Sequence, residues 1–251
     1  MEKLVELKNI YFSYNGVPAL EDINLDILEK DMMAIIGPNG GGKTTLLKII
    51  LGLIRPSSGS VTVMGLRPEK GRVNVGYLQQ NPDIDLSFPM SVYETVLMGR
   101  YHGIAQRYTS RDRKAVKDAL ETVDMGNLEN RHIGKLSGGQ LQRVLIARAI
   151  VRQPRILLMD EPLSNIDAGT QRSVYELFLK LGEKMAVVFV THDISAISTY
   201  VEKVACLNRR LYYHGPKEGS LGKLEDAYGC PIEMIAHGIP HRVLKKHTDN
   251  P

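Results

Sequence analysis

The stretch MMAIIGPNGGGKTTLLKIIL, residues 32–51, sets an apolar run, a glycine-rich loop and a second apolar run in immediate succession. Residues 32–36 are short and unbroken in apolar character, which predicts a strand buried on both faces. Residues 44–51 are apolar at 46, 47, 49, 50 and 51 with only Lys48 interrupting, which predicts a largely buried helix. Between them residues 37–44 fit G-x-x-x-x-G-K-[ST], the phosphate-binding P-loop, and the strand before and helix after are the context that pattern requires. Gly37, Gly40, Gly41 and Gly42 are expected because the backbone must bend tightly around a phosphate with its N–H groups turned inward. The anion then rests on bare amides at a helix N-terminus, where the dipole favours it. Lys43 supplies a point charge for the β- and γ-phosphates, and the Thr44 hydroxyl is placed to ligate Mg²⁺. With Pro38, Asn39 and Thr45 these residues form the expected nucleotide contact.

Working outward, 251 residues suffice for one substantial core, and 43% hydrophobic with 24% charged residues is ordinary globular composition. Lys+Arg 32 against Asp+Glu 28 gives +4, too small an excess to argue for a nucleic-acid partner. No apolar run reaches bilayer-spanning length, and the opening MEKLVELKNI lacks the apolar core of a signal peptide, so a cytosolic location is expected. Cys206 and Cys230 stand in unrelated contexts and are expected to be reduced thiols there.

Upstream, residues 4–14 predict a strand, Asn15-Gly16 a hairpin turn and residues 23–27 a second strand; residues 60–64, after Pro56-Ser57-Ser58-Gly59, add a third. Together they suggest an antiparallel sheet beside the nucleotide core. Tyr14 reads equally as an adenine-stacking ring or as a half-buried strand tyrosine. Val73, Val75 and Tyr77 alternate with polar or small residues up to Gln79-Gln80, predicting a strand whose carboxyl end delivers a glutamine.

Downstream, Ser91-Val92-Tyr93-Glu94 is a capping box that starts a helix through about Arg100. Thr109 caps a further helix, with Ala115, Val116, Ala119, Leu120 and Val123 on one face and Gly126 closing it. No strand is expected from 91 to 126, so a helical insertion interrupts the core. Leu136-Ser137-Gly138-Gly139-Gln140 precedes a helix over 141–151, and from the residues alone the turn is either a phosphate nest or a plain helix cap. Residues 156–159 form a buried strand ending in Asp160-Glu161-Pro162. Adjacent carboxylates at a core strand end are costly unless they meet a cation or move a proton. Asp160 fits as the Mg²⁺ partner and Glu161 as the base for the attacking water. Residues 164–167 lead into another helix, and the strand over 186–190 ends at Thr191-His192-Asp193. Ligands of open α/β sheets gather beyond the carboxyl ends of the strands, where Gly37, Gln80, Asp160 and His192 all fall. His237, His241 and His247 invite a metal-site reading, but Gly238 and Pro240 prevent the helical spacing that would converge the first two.

The P-loop, LSGGQ at 136–140, Asp160-Glu161 and His192, in this order, resemble the ATP-binding subunits of ABC transporters over nearly the whole length. The resemblance implies an α/β P-loop core with a mostly parallel sheet, an N-terminal antiparallel β subdomain and an inserted helical subdomain. It places core and β subdomain at 1–83 and 150–220, the helical part at 84–149 and an extension at 221–251. It implies ATP and Mg²⁺ as cofactors and a pair of copies sandwiching two nucleotides, with Ser137, Gly138, Gly139 and Gln140 of one copy completing the other's site. Tyr14 then corresponds to the adenine-stacking aromatic, Gln80 to the glutamine linking Mg²⁺ to the membrane-facing lobe, His192 to a γ-phosphate contact and Asp167 to the interface loop. Gln79 stands where the family often has proline, and Asn165 replaces a small residue before the interface aspartate.

GPNGGGKTTLLK, FPMSVYETVLMGR at 88–100 and HGIPHRVLKKH at 237–247 are similar to subunits of manganese, zinc and iron importers. The implied partners are membrane permease subunits, a second copy of the chain and, through the permease, an extracytoplasmic substrate-binding protein. The implied location is the cytoplasmic face of the membrane. ABC ATPases of DNA repair or translation are the rival class: the first needs a long coiled coil between P-loop and signature, the second two cassettes in one chain, and neither is present. A P-loop kinase leaves LSGGQ and His192 unexplained.

Overall fold

The computed structural model describes residues 2–80, 82, 84–101, 103, 107–164, 166–191 and 199–219. His192, Asn165, Cys230, the helix expected near 221–228 and the histidines at 237, 241 and 247 lie outside them.

The chain opens with β1 (Lys3–Tyr14) and β2 (Val17–Leu28), joined through Asn15 and Gly16 at φ 47° and 82°. Two consecutive positive φ values match the right-handed twist of the flanking strands, which is why Asn-Gly is preferred there. Then come β3 (Met32–Ile36), α1 (Lys43–Ile50), β4 (Ser58–Val63), the single turn α2 (Pro68–Gly71) and β5 (Val75–Leu78). Helices α3 (Val92–Leu97), α4 (Ser110–Thr122) and α5 (Gly138–Ile150) follow, before β6 (Ile156–Asp160), α6 (Ala168–Gly182), β7 (Ala186–Val190), β8 (Lys203–Asn208) and β9 (Arg210–Pro216).

Strands β2-β1-β4 form an antiparallel sheet, and a six-stranded sheet runs β5-β6-β7-β3-β8-β9. Its first five strands are parallel and β9 closes the edge antiparallel. All five residues of β3, β6 and β7 are buried. Strand alternation divides them between two cores. Ala34, Ile36, Leu157, Met159, Val187 and Phe189 face α3 to α6, whereas Met33, Ile35, Leu158, Val188 and Val190 face α1 and the antiparallel sheet.

Element boundaries moved where long-range pairing governs them. The strand expected from Val73 begins at Val75, because Arg72–Asn74 closes a 3₁₀ turn and its partner β6 starts only at Ile156. Helix α4 ends at Thr122, and the left-handed residue that closes it is Asp124 rather than Gly126: Asp124 takes φ 58°, Met125 N bonds Leu120 O at 2.8 Å, and Arg143 holds the Asp124 carboxylate at 2.9 Å. The signature helix starts at Gly138, one turn earlier than its apolar pattern. The strand expected over 23–27 extends to Val17–Leu28, and the one at 60–64 spans Ser58–Val63.

Candidate active site

The P-loop leaves β3 at Ile36 and enters α1 at Lys43. Its glycines are demanded by the protein as well as by any phosphate. A Cβ on Gly37, where φ is 154°, would lie 1.8 Å from the Leu207 carbonyl oxygen of β8; one on Gly42, at φ 94°, would lie 2.5 Å from Ala19 O. Replacing Gly37 by Ala therefore forces β3 and β8 apart, and we expect a loss of at least about 3 kcal/mol, read as a lower urea midpoint. An unchanged midpoint would contradict this packing.

Lys43 is buried and its ammonium donates to Gly37 O at 2.9 Å and Pro38 O at 2.8 Å. Burial pulls its pKa below the usual lysine value, opposed by the charges of Glu161 and Asp160. Asn39 and Gly40 at the loop tip are exposed beside an open cleft of about 490 Å³. The Tyr14 ring is exposed, edge-packed on Phe12 at 4.8 Å, with its hydroxyl 3.5 Å from Thr45 Oγ1. It thus sits over the start of α1 with a face available for stacking.

Asp160 is the last residue of β6 and buried, and its Oδ1 has no hydrogen-bond partner. Burial raises its pKa above the ordinary 3.8, with the Thr44 hydroxyl bond acting the other way. The sign follows: the fold loses stability as pH rises from 3.8 toward the raised value, because ionisation must then occur in a desolvated site. An orphaned, buried carboxylate oxygen beside a threonine hydroxyl suits a hard divalent cation, so these residues fit Mg²⁺.

Glu161 follows at φ 46°, its N–H donating to Val190 O at 3.2 Å. Gln80, just beyond β5, donates through Nε2 to Glu161 Oε2 at 2.6 Å, whereas Gln79 is exposed. Of the two candidate glutamines, 80 is the one that reaches the carboxylates.

At the signature turn, Ser137 caps α5 in a reciprocal box: Ser137 Oγ accepts from Gln140 N at 3.3 Å and Ser137 N donates to Gln140 Oε1 at 3.0 Å. Gln140 is therefore turned back on the cap rather than outward. The serine hydroxyl keeps its proton to donate, and the amides of Gly138 and Gly139 have no intrahelical acceptor. Ser137 and Gly138 are exposed. The capped turn therefore still presents a hydroxyl and two amides as donors. Asp167 is exposed and caps α6, accepting from Thr170 N at 3.0 Å; hydrogen bonds from the Thr170 hydroxyl and then from that N–H hold its pKa below the usual value.

A nucleotide-sized glycine loop, a buried lysine and two carboxylates at one sheet edge define a P-loop ATPase. Residues 20–164 match the family described as ABC transporter. The manganese transport system ATP-binding protein MntB of Bacillus subtilis is 39% identical over 236 residues, 92% of this chain and 94% of that one. The zinc uptake system ATP-binding protein ZurA of Listeria innocua is 37% identical, with 86% of each covered. A solved structure described as an inward-facing metal-chelate type ABC transporter superposes with TM-score 0.83 at 29% identity, covering 96% of this chain and 98% of that one. The chain belongs to the ABC transporter family and is an ATP-binding, ATP-hydrolysing cassette.

Sequence reasoning missed Gln142 and Arg143, which fasten α5 to the rest of the site. Their only sequence signal is position: they share a helix face with Gly139.

Proposed function

We propose that this chain energises an importer of divalent metal ions, manganese, zinc or iron, by ATP-driven closure of two copies beneath membrane-embedded permease subunits. The observation that carries the reading is the Gln80–Glu161 bond at 2.6 Å. It joins the expected base to the segment that leads from β5 into the helices, so a change at the phosphates is felt in the lobe at 84–149. That lobe exposes Leu86, Phe88, Met98 and Tyr101, an apolar surface suited to a membrane subunit. No described helix is long and apolar enough to cross a membrane. In this reading the chain lies at the cytoplasmic face, against permease subunits that are separate chains. An extracytoplasmic substrate-binding protein would act through that permease. The relatives named for manganese and zinc transport support the cargo.

In this reading Tyr14 stacks on adenine, and residues 37–45 enclose the triphosphate with Lys43 on the β- and γ-phosphates. Thr44, Asp160 and Gln80 would hold Mg²⁺, which when bound offsets phosphate charge. Glu161 orients and deprotonates the attacking water, and His192 contacts the γ-phosphate. The Ser137 hydroxyl and the Gly138 and Gly139 amides meet the γ-phosphate bound by the other copy, near Asp167. ATP thereby favours the closed pair, the state in which it gains those contacts. Hydrolysis removes them and the copies part.

Uptake of radioactive manganese, zinc and iron into cells lacking this chain tests the cargo. Uptake of at least one ion should fall and return with the wild-type chain but not with Glu161→Gln. Unchanged uptake of all three would contradict it.

A further inference from the structure

The helix that carries the signature turn is fastened, within the same chain, to the turn that carries Glu161. Positions 139, 142 and 143 of α5 share one face, being three and four residues apart. At Gly139 a side chain is excluded, since a Cβ would lie 2.2 Å from Thr170 Cγ2 at the start of α6. At Gln142, Nε2 donates to the Pro162 carbonyl at 2.5 Å, and a carbonyl partner decides which end of the amide is nitrogen. At Arg143, one guanidinium nitrogen donates to Val123 O at 2.8 Å and Asp124 Oδ2 at 2.9 Å while the other reaches Ser173 O at 3.4 Å.

The receiving turn is held from its far side as well. Gln171 of α6 donates to Leu163 O at 3.3 Å and Ile166 O at 3.0 Å, and Ser164 N donates to Glu161 O at 3.3 Å. Among the side-chain bonds that α5 sends to the described residues, the Gln142 bond is the one that ends beside Glu161. Pro162 has no N–H, so its carbonyl is the sole backbone group through which that residue can be held by a hydrogen bond. Glu161 itself stands at φ 46°, a conformation a non-glycine residue keeps only where its surroundings over-determine it.

Resting on the assignment of Glu161 as the base, we infer that Gln142 is a positioning residue: its amide grips the Pro162 carbonyl and thereby aims the Glu161 carboxylate at the attacking water. The same grip links two nucleotides. The tip of α5 serves the ATP of the partner copy, while Glu161 serves the ATP of its own, so docking of one signature turn is transmitted to the base of the opposite site. In this assignment Gln142 acts through Pro162 and Glu161 rather than on a nucleotide directly.

The test measures ATP turnover against ATP concentration on the assembled transporter for wild type, Gln142→Glu, Gln142→Lys and Glu161→Gln. Gln142→Glu keeps the shape and removes the donor. Because misplacing a reacting group by an ångström costs about 10²-fold, loss of one of several restraints should lower kcat about 10-fold, with KM for ATP moving less than about 2-fold. Gln142→Lys returns a donor of sufficient reach and should recover most of the rate. A purely structural role would not separate the two variants.

Gln142→Glu within about 2-fold of the wild-type kcat would overturn the proposal. So would a Gln142→Lys protein as slow as Gln142→Glu, or a rise in KM at unchanged kcat. Glu161→Gln separates the levels: slow Glu161→Gln beside unimpaired Gln142→Glu overturns the tether alone, whereas normal turnover by Glu161→Gln overturns the assignment of the base and the tether with it.

Discussion

Glu161→Gln should slow ATP turnover by roughly 10²- to 10⁴-fold, the usual worth of a positioned general base. ATP should stay bound. Glutamine keeps the size of the side chain and can still meet Gln80, so the ground state is little disturbed; what is lost is the ability to accept the proton of the attacking water. The binding groups, Lys43 and the loop amides, are untouched, and uniform binding survives a change felt only in the transition state. The variant should therefore accumulate as an ATP-bound pair, visible as a doubled mass in size-exclusion chromatography with ATP. Turnover near the wild-type rate on assembled transporter would remove Glu161 from the role of base.

Lys43→Ala should act at the earlier step and abolish most ATP binding. The ammonium is buried between Gly37 O and Pro38 O at 2.9 and 2.8 Å, already partly stripped of water before any phosphate arrives. Its removal leaves a bound triphosphate without its nearest fixed cation. Truncating one partner of a buried, hydrogen-bonded charge pair costs roughly 2–5 kcal/mol, on the order of 30-fold to several thousand-fold in affinity. Titration calorimetry with ATP reads this directly, and because Gly37 is still wedged against Leu207 the variant should remain folded. Retained affinity in a folded Lys43→Ala protein would take Lys43 out of phosphate binding.

Much of this site was legible in the sequence because it is built from local rules. An apolar run followed by a glycine loop and a helix start, or an apolar run ending in two carboxylates, is contiguous in the chain, and the parallel sheet brings such strand ends to one edge. Capping boxes at Ser91 and Thr109 are local too, and both form as read. What sequence withheld depends on long-range approach. That Gly37 is pressed against Leu207, 170 residues away, has no local signature. Nor does the Gln142–Pro162 bond, nor the left-handed turn at Asp124 just after α4, which Arg143 secures from another helix. At Ser137 a cap and a nest read as alternatives, because residue types alone do not show that a capped serine still has a proton to give.

The claim on which the account stands is that each nucleotide lies between two copies of this chain. A structure of the Glu161→Gln protein with ATP and Mg²⁺ measures it: Ser137 Oγ of one copy should lie within hydrogen-bond distance of a γ-phosphate oxygen held by Lys43 of the other. An associated pair in which Ser137 is remote from both γ-phosphates would contradict the account.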